Sequence, residues 1–186
     1  MNKLKILIFL FFSITISSSY AQVCGVFTDV YGNSLIQVHL GDGDYALIDE
    51  YGDIKRLDTG KEVEFYSDFH DYESGKLKKV GDIDFKYYSD FHDYNSGKIK
   101  AIRRTKFEYY SDFQNYEAGK LKSVGDVEFT YYSGFRDYEK GKIKSIGESK
   151  YEYYSEDSQK RGMLKKGKLK YITDNIEFRI KIRRPF

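Results

Sequence analysis

The chain has 186 residues, a formal net charge of +2, 19 Tyr, 14 Phe, one Pro and no Trp. Its length suits one domain. The near-neutral balance argues against a nucleic-acid or general polyanion binder, which would carry an excess of Lys and Arg. A single cysteine excludes an internal disulfide. Abundant aromatic residues with modest aliphatic content favour an all-β fold over helices around a deep core.

The N-terminus has the features of an export signal. Lys3 and Lys5 precede an apolar stretch over residues 6–16, and residues 19–21 place small side chains at the two positions that a signal peptidase inspects. We therefore predict a signal peptide over residues 1–21. We expect no transmembrane span after cleavage, because the apolar stretch is too short to cross a membrane comfortably. The predicted location is secreted, periplasmic or cell-surface.

A tandem repeat of 22 residues organises the rest of the chain. The segment Phe65-Tyr66-Ser67-Asp68-Phe69, and a Gly-Lys-(Leu/Ile)-Lys motif that follows it, recur at that spacing. Residues 61–148 hold four regular copies. We predict β hairpins and an imperfect capping repeat over residues 22–60, and a degraded fifth repeat with a capping hairpin over residues 149–186. Atypical outer copies are what a stacked array needs, because its end faces meet water.

Each regular copy predicts a strand, a loop and a strand. Leu77, Ile83, Phe85 and Tyr87 fall on alternate positions with mostly charged residues between them, and Val80 is the main exception. A period of two indicates a strand with one apolar and one charged face. A helix would instead need apolar residues three and four apart, so the helical interpretation is poor.

Glycines and aromatic residues occupy fixed positions in the predicted loops. One slot is always glycine, which predicts a positive φ there; its members are Gly75, Gly97, Gly119 and Gly141. Gly81-Asp82 suits a two-residue hairpin turn. Arg103-Arg104 in the same slot does not, so we expect that copy to pass straight through with a bulge. Phe69 and Tyr72, with their equivalents, are expected to fold back and cap the sheet edge.

Lysines constrain how the copies stack. The first lysine column is Lys76, Lys98, Lys120 and Lys142, and the second lysine column is Lys78, Lys100, Lys122 and Lys144. A parallel β-solenoid would set these like charges about 4.8 Å apart, which is unfavourable. Antiparallel hairpins double that separation. The sequence therefore favours an extended antiparallel meander, with the parallel β-solenoid as the alternative.

The repeat resembles two known repeat families. The motif Tyr87-Tyr88-Ser89-Asp90, followed by Gly97-Lys98-Ile99, resembles the core of bacterial tyrosine–aspartate repeats. In length and in Tyr/Gly spacing the chain is also similar to MORN-type repeats, and in overall style to exported proteins of Bacteroidota. The resemblance covers roughly residues 52–172. Both families are built of β-hairpins and mostly serve as scaffolds or binding surfaces, so it implies a scaffold and carries no catalytic residue.

Metal binding has little support in the sequence. His70 and His92 share a repeat slot, but the next two copies place Gln and Arg there, so surface histidines are the ordinary interpretation. Asp68, Asp71 and Glu73 lie close together in a loop, and their spacing does not match the alternating carboxylates of a known calcium loop. Calcium binding by these loop carboxylates stays open, and no cofactor is predicted.

Enzyme chemistry is not predicted either. Cys24 has no nearby histidine, and the serines of the repeat occupy the same slot in every copy, where the backbone of each copy needs them. Gly41-Asp42-Gly43 is a turn and not a phosphate-binding loop.

The sequence thus predicts a non-catalytic exported repeat scaffold that binds a partner protein or glycan through an aromatic and lysine-rich β surface. Candidate binding residues are Lys98, Lys100, Lys120, Lys122, Tyr88 and Tyr110. The lysines would form a basic stripe for acidic groups, or belong to a solvated face neutralised by neighbouring acids. The tyrosines would offer a flat aromatic platform, or serve cross-strand packing. The alternative function is a structural or adhesion element of the cell surface without a discrete ligand site.

Overall fold

The computed structural model describes residues 23–29, 31–68, 71–91, 93–111, 113, 116–155, 169–173 and 179–183. The strands are β1 (Val23–Asp29), β2 (Ser34–Gly41), β3 (Asp44–Asp49), β4 (Ile54–Asp58), β5 (Val63–Phe65), β6 (Leu77–Val80), β7 (Ile83–Tyr87), β8 (Ile99–Ile102), β9 (Thr105–Tyr109), β10 (Leu121–Val124), β11 (Val127–Tyr131), β12 (Ile143–Ile146), β13 (Ser149–Tyr153), β14 (Leu169–Thr173) and β15 (Arg179–Arg183). Within the described residues there is no α-helix, and a 3-10 turn covers Asp93–Asn95. The all-β prediction is confirmed.

The strands form two sheets. Strands β5 to β14 follow one another in a ten-stranded antiparallel meander, which we call the repeat sheet. The N-terminal sheet has the order β15-β1-β2-β3-β4. Every repeat strand pairs antiparallel with its chain neighbour, so the meander is confirmed and the parallel solenoid is wrong.

The C-terminal segment contributes one strand to each sheet. Strand β14 pairs with β13 in the repeat sheet, whereas β15 pairs parallel with β1 in the N-terminal sheet. The two strands therefore lie in different sheets. The free edge of β1 accepts β15, so the last strand links the end of the chain to its beginning.

Two-residue turns close all four regular hairpins. Gly81-Asp82 connects the paired residues Val80 and Ile83, as predicted. Arg103-Arg104 forms the same turn between Ile102 and Thr105, so the expected straight passage is wrong. Arg103 has φ 53°, close to the 56° of Gly81. A positive φ at the first turn position matches a type II′ hairpin, whose twist suits the flanking strands. Strand pairing imposes this conformation although arginine has no local preference for it.

A β-bulge recurs at the start of each repeat hairpin. Glu64 pairs with Lys79 and Phe65 with Leu77, which leaves Lys78 as the extra residue. Counting back from buried Val80, regular alternation would turn Lys78 inward and Leu77 outward. The bulge reverses both, so leucine is buried and lysine exposed. The same shift places every member of the second lysine column on a bulge.

The two sheets share one apolar core. Val26, Ile36 and Ile48 of the N-terminal sheet belong to the same buried cluster as Phe85 and Phe107 of the repeat sheet. Turns of the N-terminal sheet approach the repeat sheet closely. A Cβ added at Gly32 would collide with the hydroxyl group of Tyr153, and one added at Gly52 with that of Tyr109. The N-terminal sheet therefore covers the buried face of the repeats, and the opposite face of the repeat sheet stays open.

Candidate functional site

The first lysine column lies inside the repeat sheet's own bonding network. Lys98 and Lys120 are half-buried, and their ammonium groups donate hydrogen bonds to the carbonyls of Gly119 and Gly141 in the next copy, at 2.6 and 2.7 Å. Each ammonium also lies about 5 Å above the ring of a buried tyrosine. These two predicted binding residues therefore join consecutive repeats.

Lys120 also connects the two sheets. Its Nζ lies 2.9 Å from Oε1 of Glu50, and both side chains are only 12% exposed. The amide of Leu121 donates to the backbone carbonyl of Glu50 at 2.7 Å. Burial raises the pKa of Glu50, and Lys120 partly opposes that shift. The contact is a mostly buried ion pair, which is destabilised strongly when one partner is removed.

Tyrosines form two matched sets. The inner tyrosines, Tyr87, Tyr109, Tyr131 and Tyr153, are buried and donate to carbonyls of the preceding copy. The outer tyrosines, Tyr66, Tyr88, Tyr110 and Tyr132, donate to carbonyls of the next copy at 2.8–3.0 Å. Each outer ring meets an inner ring edge-on, with centroids 6.0–6.2 Å apart. The predicted platform residues Tyr88 and Tyr110 thus pack between strands.

The second lysine column lies on the open face. Lys100 and Lys122 are exposed, and the Lys100 ammonium lies 5.7 Å from the ring centroid of Tyr88. Acids share this face: Glu108 and Glu128 flank Ser123 across three neighbouring strands. The basic residues are therefore interleaved with carboxylates, and these two predicted binding lysines do not stand on a uniformly basic surface.

The long loops carry a feature that the sequence analysis misplaced. Phe91, Phe113 and Phe135, which we call the loop phenylalanines, are 95–96% exposed. The expectation that these residues cap the sheet edge is wrong for all three, and their counterpart Phe69 lies outside the described residues. Of the loop tyrosines, Tyr72 and Tyr138 do pack against the core, whereas the equivalent Tyr94 is 40% exposed. The sequence signal for this surface was a phenylalanine at the same position of every regular copy, and we had assigned that position to packing.

The base of each loop explains why its tip protrudes. The amide of Tyr88 donates to the carbonyl of Lys98, and the amide of Gly97 donates to the carbonyl of Tyr88, both at 2.9 Å. Gly97 has φ 72°, as predicted for its slot. These bonds pin the two ends of the loop together. Residues between them then project from one end of the repeat sheet, opposite the two-residue turns.

Acidic residues share the long loops with the loop phenylalanines, and exposed Arg136 follows Phe135 directly. Asp68, Asp90 and Asp137 are exposed. Asp68 and Asp90 each accept a hydrogen bond of 2.6 Å from a serine of the same loop. Glu117 is 7% exposed, and burial raises its pKa. The loop end of the sheet thus combines bare aromatic rings with carboxylates.

Metal and nucleophile candidates can be placed only in part. His70 and His92 lie outside the described residues. Within the parts of the chain that are described, no group of three or more His, Cys, Asp or Glu side chains could hold a metal ion. Cys24 is exposed, and its Sγ lies 3.5 Å from the carbonyl of Gln37.

Comparison with family models, with curated proteins and with solved structures gives no match to this chain. The resemblance to tyrosine–aspartate and MORN-type repeats therefore stays a prediction. The described residues include no helix long and apolar enough to cross a membrane, and residues 1–21 of the predicted signal peptide lie outside them.

Proposed function

We propose that the protein is a non-catalytic, exported repeat scaffold that binds a partner protein through the loop phenylalanines. One observation carries the proposal: Phe91, Phe113 and Phe135 occupy the same repeat slot and are each 95–96% exposed. Single exposed apolar residues are ordinary, but a large apolar ring exposed at the same slot of three consecutive copies is a repeated feature, and exposed apolar patches mark interaction sites.

The spacing of the loops favours a ligand that is large and ordered. Consecutive long loops are two strands apart, which corresponds to about 10 Å along the sheet. Burying one phenylalanine contributes about 1.5–3 kcal/mol, whereas association costs about 4–15 kcal/mol in lost freedom. One ring alone therefore does not hold a partner, and several rings in a row contribute together. A folded protein surface with pockets at matching intervals meets that requirement.

Charge defines the rim of the partner surface. Exposed Asp90 precedes Phe91, and exposed Asp137 lies two residues after Phe135. Complementary potentials speed association and exclude partners of the same sign. We therefore expect apolar pockets bordered by Lys or Arg on the partner, and we expect no adhesion to anionic lipid.

The fate of the other candidates supports this choice. Lys98, Lys120, Tyr88 and Tyr110 direct their polar groups to carbonyls of neighbouring copies. Those contacts assemble the scaffold. By contrast, the described structure places no core contact around the rings of the loop phenylalanines, so the fold does not require phenylalanine in that slot.

The test compares two triple variants. Phe91→Ser/Phe113→Ser/Phe135→Ser removes the rings, and Lys100→Gln/Lys122→Gln/Lys144→Gln is the matched control on the open face. Each purified protein is immobilised and exposed to an envelope extract of the producing organism, with cross-linking and mass spectrometry to identify bound chains. We expect the native protein and the lysine variant to retain the same partner and the serine variant to lose it.

Two results would contradict the proposal. Retention of that partner by the serine variant would show that the rings do not form the interface. Loss in the lysine variant alone would return the site to the second lysine column. A glycan array tests whether the ligand is a glycan instead of a protein. Glycan binding that survives the serine substitutions would place sugar recognition away from the loop phenylalanines.

A further inference from the structure

A cleft opens where the N-terminal sheet meets the first regular repeat. Its volume is ≈ 490 Å³, and its lining includes Ile54, Leu57, Phe65, Leu77 and Tyr87. This size lies in the usual range for small-molecule sites, which are mostly apolar with a few placed polar groups. Phe65 is 62% exposed, so an aromatic face is open to an incoming molecule.

The cleft exists because the N-terminal sheet covers the repeats unequally. Each lysine of the first lysine column lies above an inner tyrosine, and the two side chains form a unit that we call a rung. Gly52 packs against Tyr109 of the second rung, and Glu50 pairs with Lys120 of the third. Gly32 packs against Tyr153 of the fourth rung. At the first rung, the turn that contains Gly52 borders the cleft without filling it.

The first rung places a cation in this cleft. The Lys76 ammonium donates to the carbonyl of Gly97 and lies 5.3 Å from the centroid of the Tyr87 ring. Burial lowers the pKa of Lys76, and Asp53, which also lines the cleft, opposes that shift. Asp53 forms its ion pair with Lys55 at 3.1 Å. Among the described residues, no carboxylate forms an ion pair with Lys76, in contrast to the Glu50–Lys120 pair.

We propose that this cleft binds a small amphipathic monocarboxylate. The carboxylate would occupy the site next to the Lys76 ammonium that Glu50 occupies next to Lys120. The apolar body would lie on Leu57, Phe65 and Tyr87. Charge-assisted hydrogen bonds are shorter and stronger than neutral ones, and apolar burial supplies the rest of the affinity. The site is independent of the loop phenylalanines.

Decanoate is the probe, and decanamide is the neutral molecule of the same shape. Titration calorimetry at pH 7 uses the purified full protein, with Lys76→Met to remove the ammonium and Lys78→Met as the matched control on the exposed bulge of the same repeat. We expect decanoate to bind the native protein and the Lys78→Met variant equally. Binding to Lys76→Met, and binding of decanamide to the native protein, should be at least about tenfold weaker, because hydrogen bonds to charged groups exceed neutral ones by roughly that factor.

A second variant keeps the test decisive if Lys76→Met does not fold. Leu57→Trp fills the cleft and leaves the ammonium in place, and we expect it to abolish decanoate binding. Circular dichroism and the melting temperature report whether each variant is folded. No decanoate binding to the native protein would overturn the proposal. Equal binding by decanamide, or by a folded Lys76→Met variant, would overturn it as well, and so would undiminished binding by Leu57→Trp.

Discussion

The base and the tip of each repeat loop follow opposite rules. At the base, Lys98 and Tyr88 bring apolar bodies toward the core and direct their polar ends to carbonyls of the next copy. At the tip, Phe91 has no polar group and is 96% exposed. An amphipathic side chain satisfies both the core and the backbone of a neighbouring strand. Within the loop segment, residues with polar ends therefore hold the copies together, whereas the phenylalanine at the tip faces outward.

The two lysine columns extend this comparison within one copy. Lys98 is half-buried and bonded, whereas Lys100, two residues later, is exposed on a bulge. In a regular strand, residues two apart point to the same face. The inserted residue breaks that rule in each copy, so lysines that look equivalent in the sequence have different roles.

Removing the Lys120 ammonium should have the largest effect on stability. We expect Lys120→Gln to lower the free energy of unfolding by about 3 kcal/mol, because it leaves the mostly buried Glu50 carboxylate without its partner. Lys122→Gln, on the exposed bulge, is the control and should change it by less than about 0.5 kcal/mol. Urea unfolding of both variants measures the difference, and equal midpoints would show that the Glu50–Lys120 pair does not stabilise the fold.

The stability of the Lys120→Gln variant should depend on pH in a defined direction. Burial raises the pKa of Glu50, so the folded protein binds a proton more readily than the unfolded chain does. Stability then falls as pH rises through the folded pKa and recovers on acidification. The penalty of Lys120→Gln should therefore shrink as the pH is lowered toward the range where Glu50 is protonated. A penalty that is constant across the acidic range would indicate that the carboxylate is not the cause.

Substitutions at two glycines of the loop base distinguish the cost of backbone strain from the cost of steric crowding. Gly75 and Gly97 have similar φ values of 65° and 72°, but a Cβ at Gly75 meets nothing within 4 Å. A Cβ at Gly97 would meet the Lys76 ammonium and would lie 3.0 Å from the carbonyl oxygen of Tyr72. A left-handed backbone costs a residue other than glycine about 1–2 kcal/mol. Gly75→Ala should show that loss alone, and Gly97→Ala about 1 kcal/mol more.

Thermal unfolding followed by circular dichroism gives the order of these two glycine variants. Equal melting temperatures would mean that the Lys76 and Tyr72 contacts adjust freely. If Gly75→Ala kept the melting temperature of the native protein, the slot would not require positive φ.

Deleting one outer hydroxyl group should have a smaller effect. Tyr88→Phe loses the 2.9 Å bond to the carbonyl of Phe107, and we expect a destabilisation of about 1 kcal/mol. Tyr94→Phe is the control, because that side chain is 40% exposed. Chemical unfolding of both variants distinguishes a bond between copies from a ring that only packs. An unchanged midpoint for Tyr88→Phe would restore Tyr88 as a surface residue.

The loop phenylalanines should contribute least to folding. Phe91→Ser/Phe113→Ser/Phe135→Ser should change the free energy of unfolding by no more than about 0.5 kcal/mol, because surface residues outside the packed core have small effects. Differential scanning calorimetry of the triple variant measures this, with the melting temperature of the native protein as the reference. A large loss would show that the rings pack in solution and would remove the basis of the proposed interface.

Much of the fold follows from contiguous residues. Alternation from Ile83 to Tyr87 predicts a half-buried strand, and Gly81-Asp82 predicts the turn before it, because both depend on the backbone preferences of adjacent positions. The glycine slot predicts its positive φ for the same reason. Val80 looked like an exception to the alternation because a bulge precedes it in the strand. The bulge depends on the register with the partner strand, and a single copy of the sequence does not show that register.

Long-range contacts decided the rest. Arg103 adopts a positive φ because the pairing of Ile102 with Thr105 imposes it, and strand β15 joins β1 across most of the chain length. The candidate site depended on tertiary structure in the same way. Whether a lysine is a ligand-binding residue or a link between copies is decided by carbonyls 21 residues away, as for Lys98 and Gly119. The open first rung likewise exists because the turns of the N-terminal sheet cover the second to fourth rungs. Within the described residues they leave Lys76 without a carboxylate partner, which is a difference in packing between segments of similar sequence.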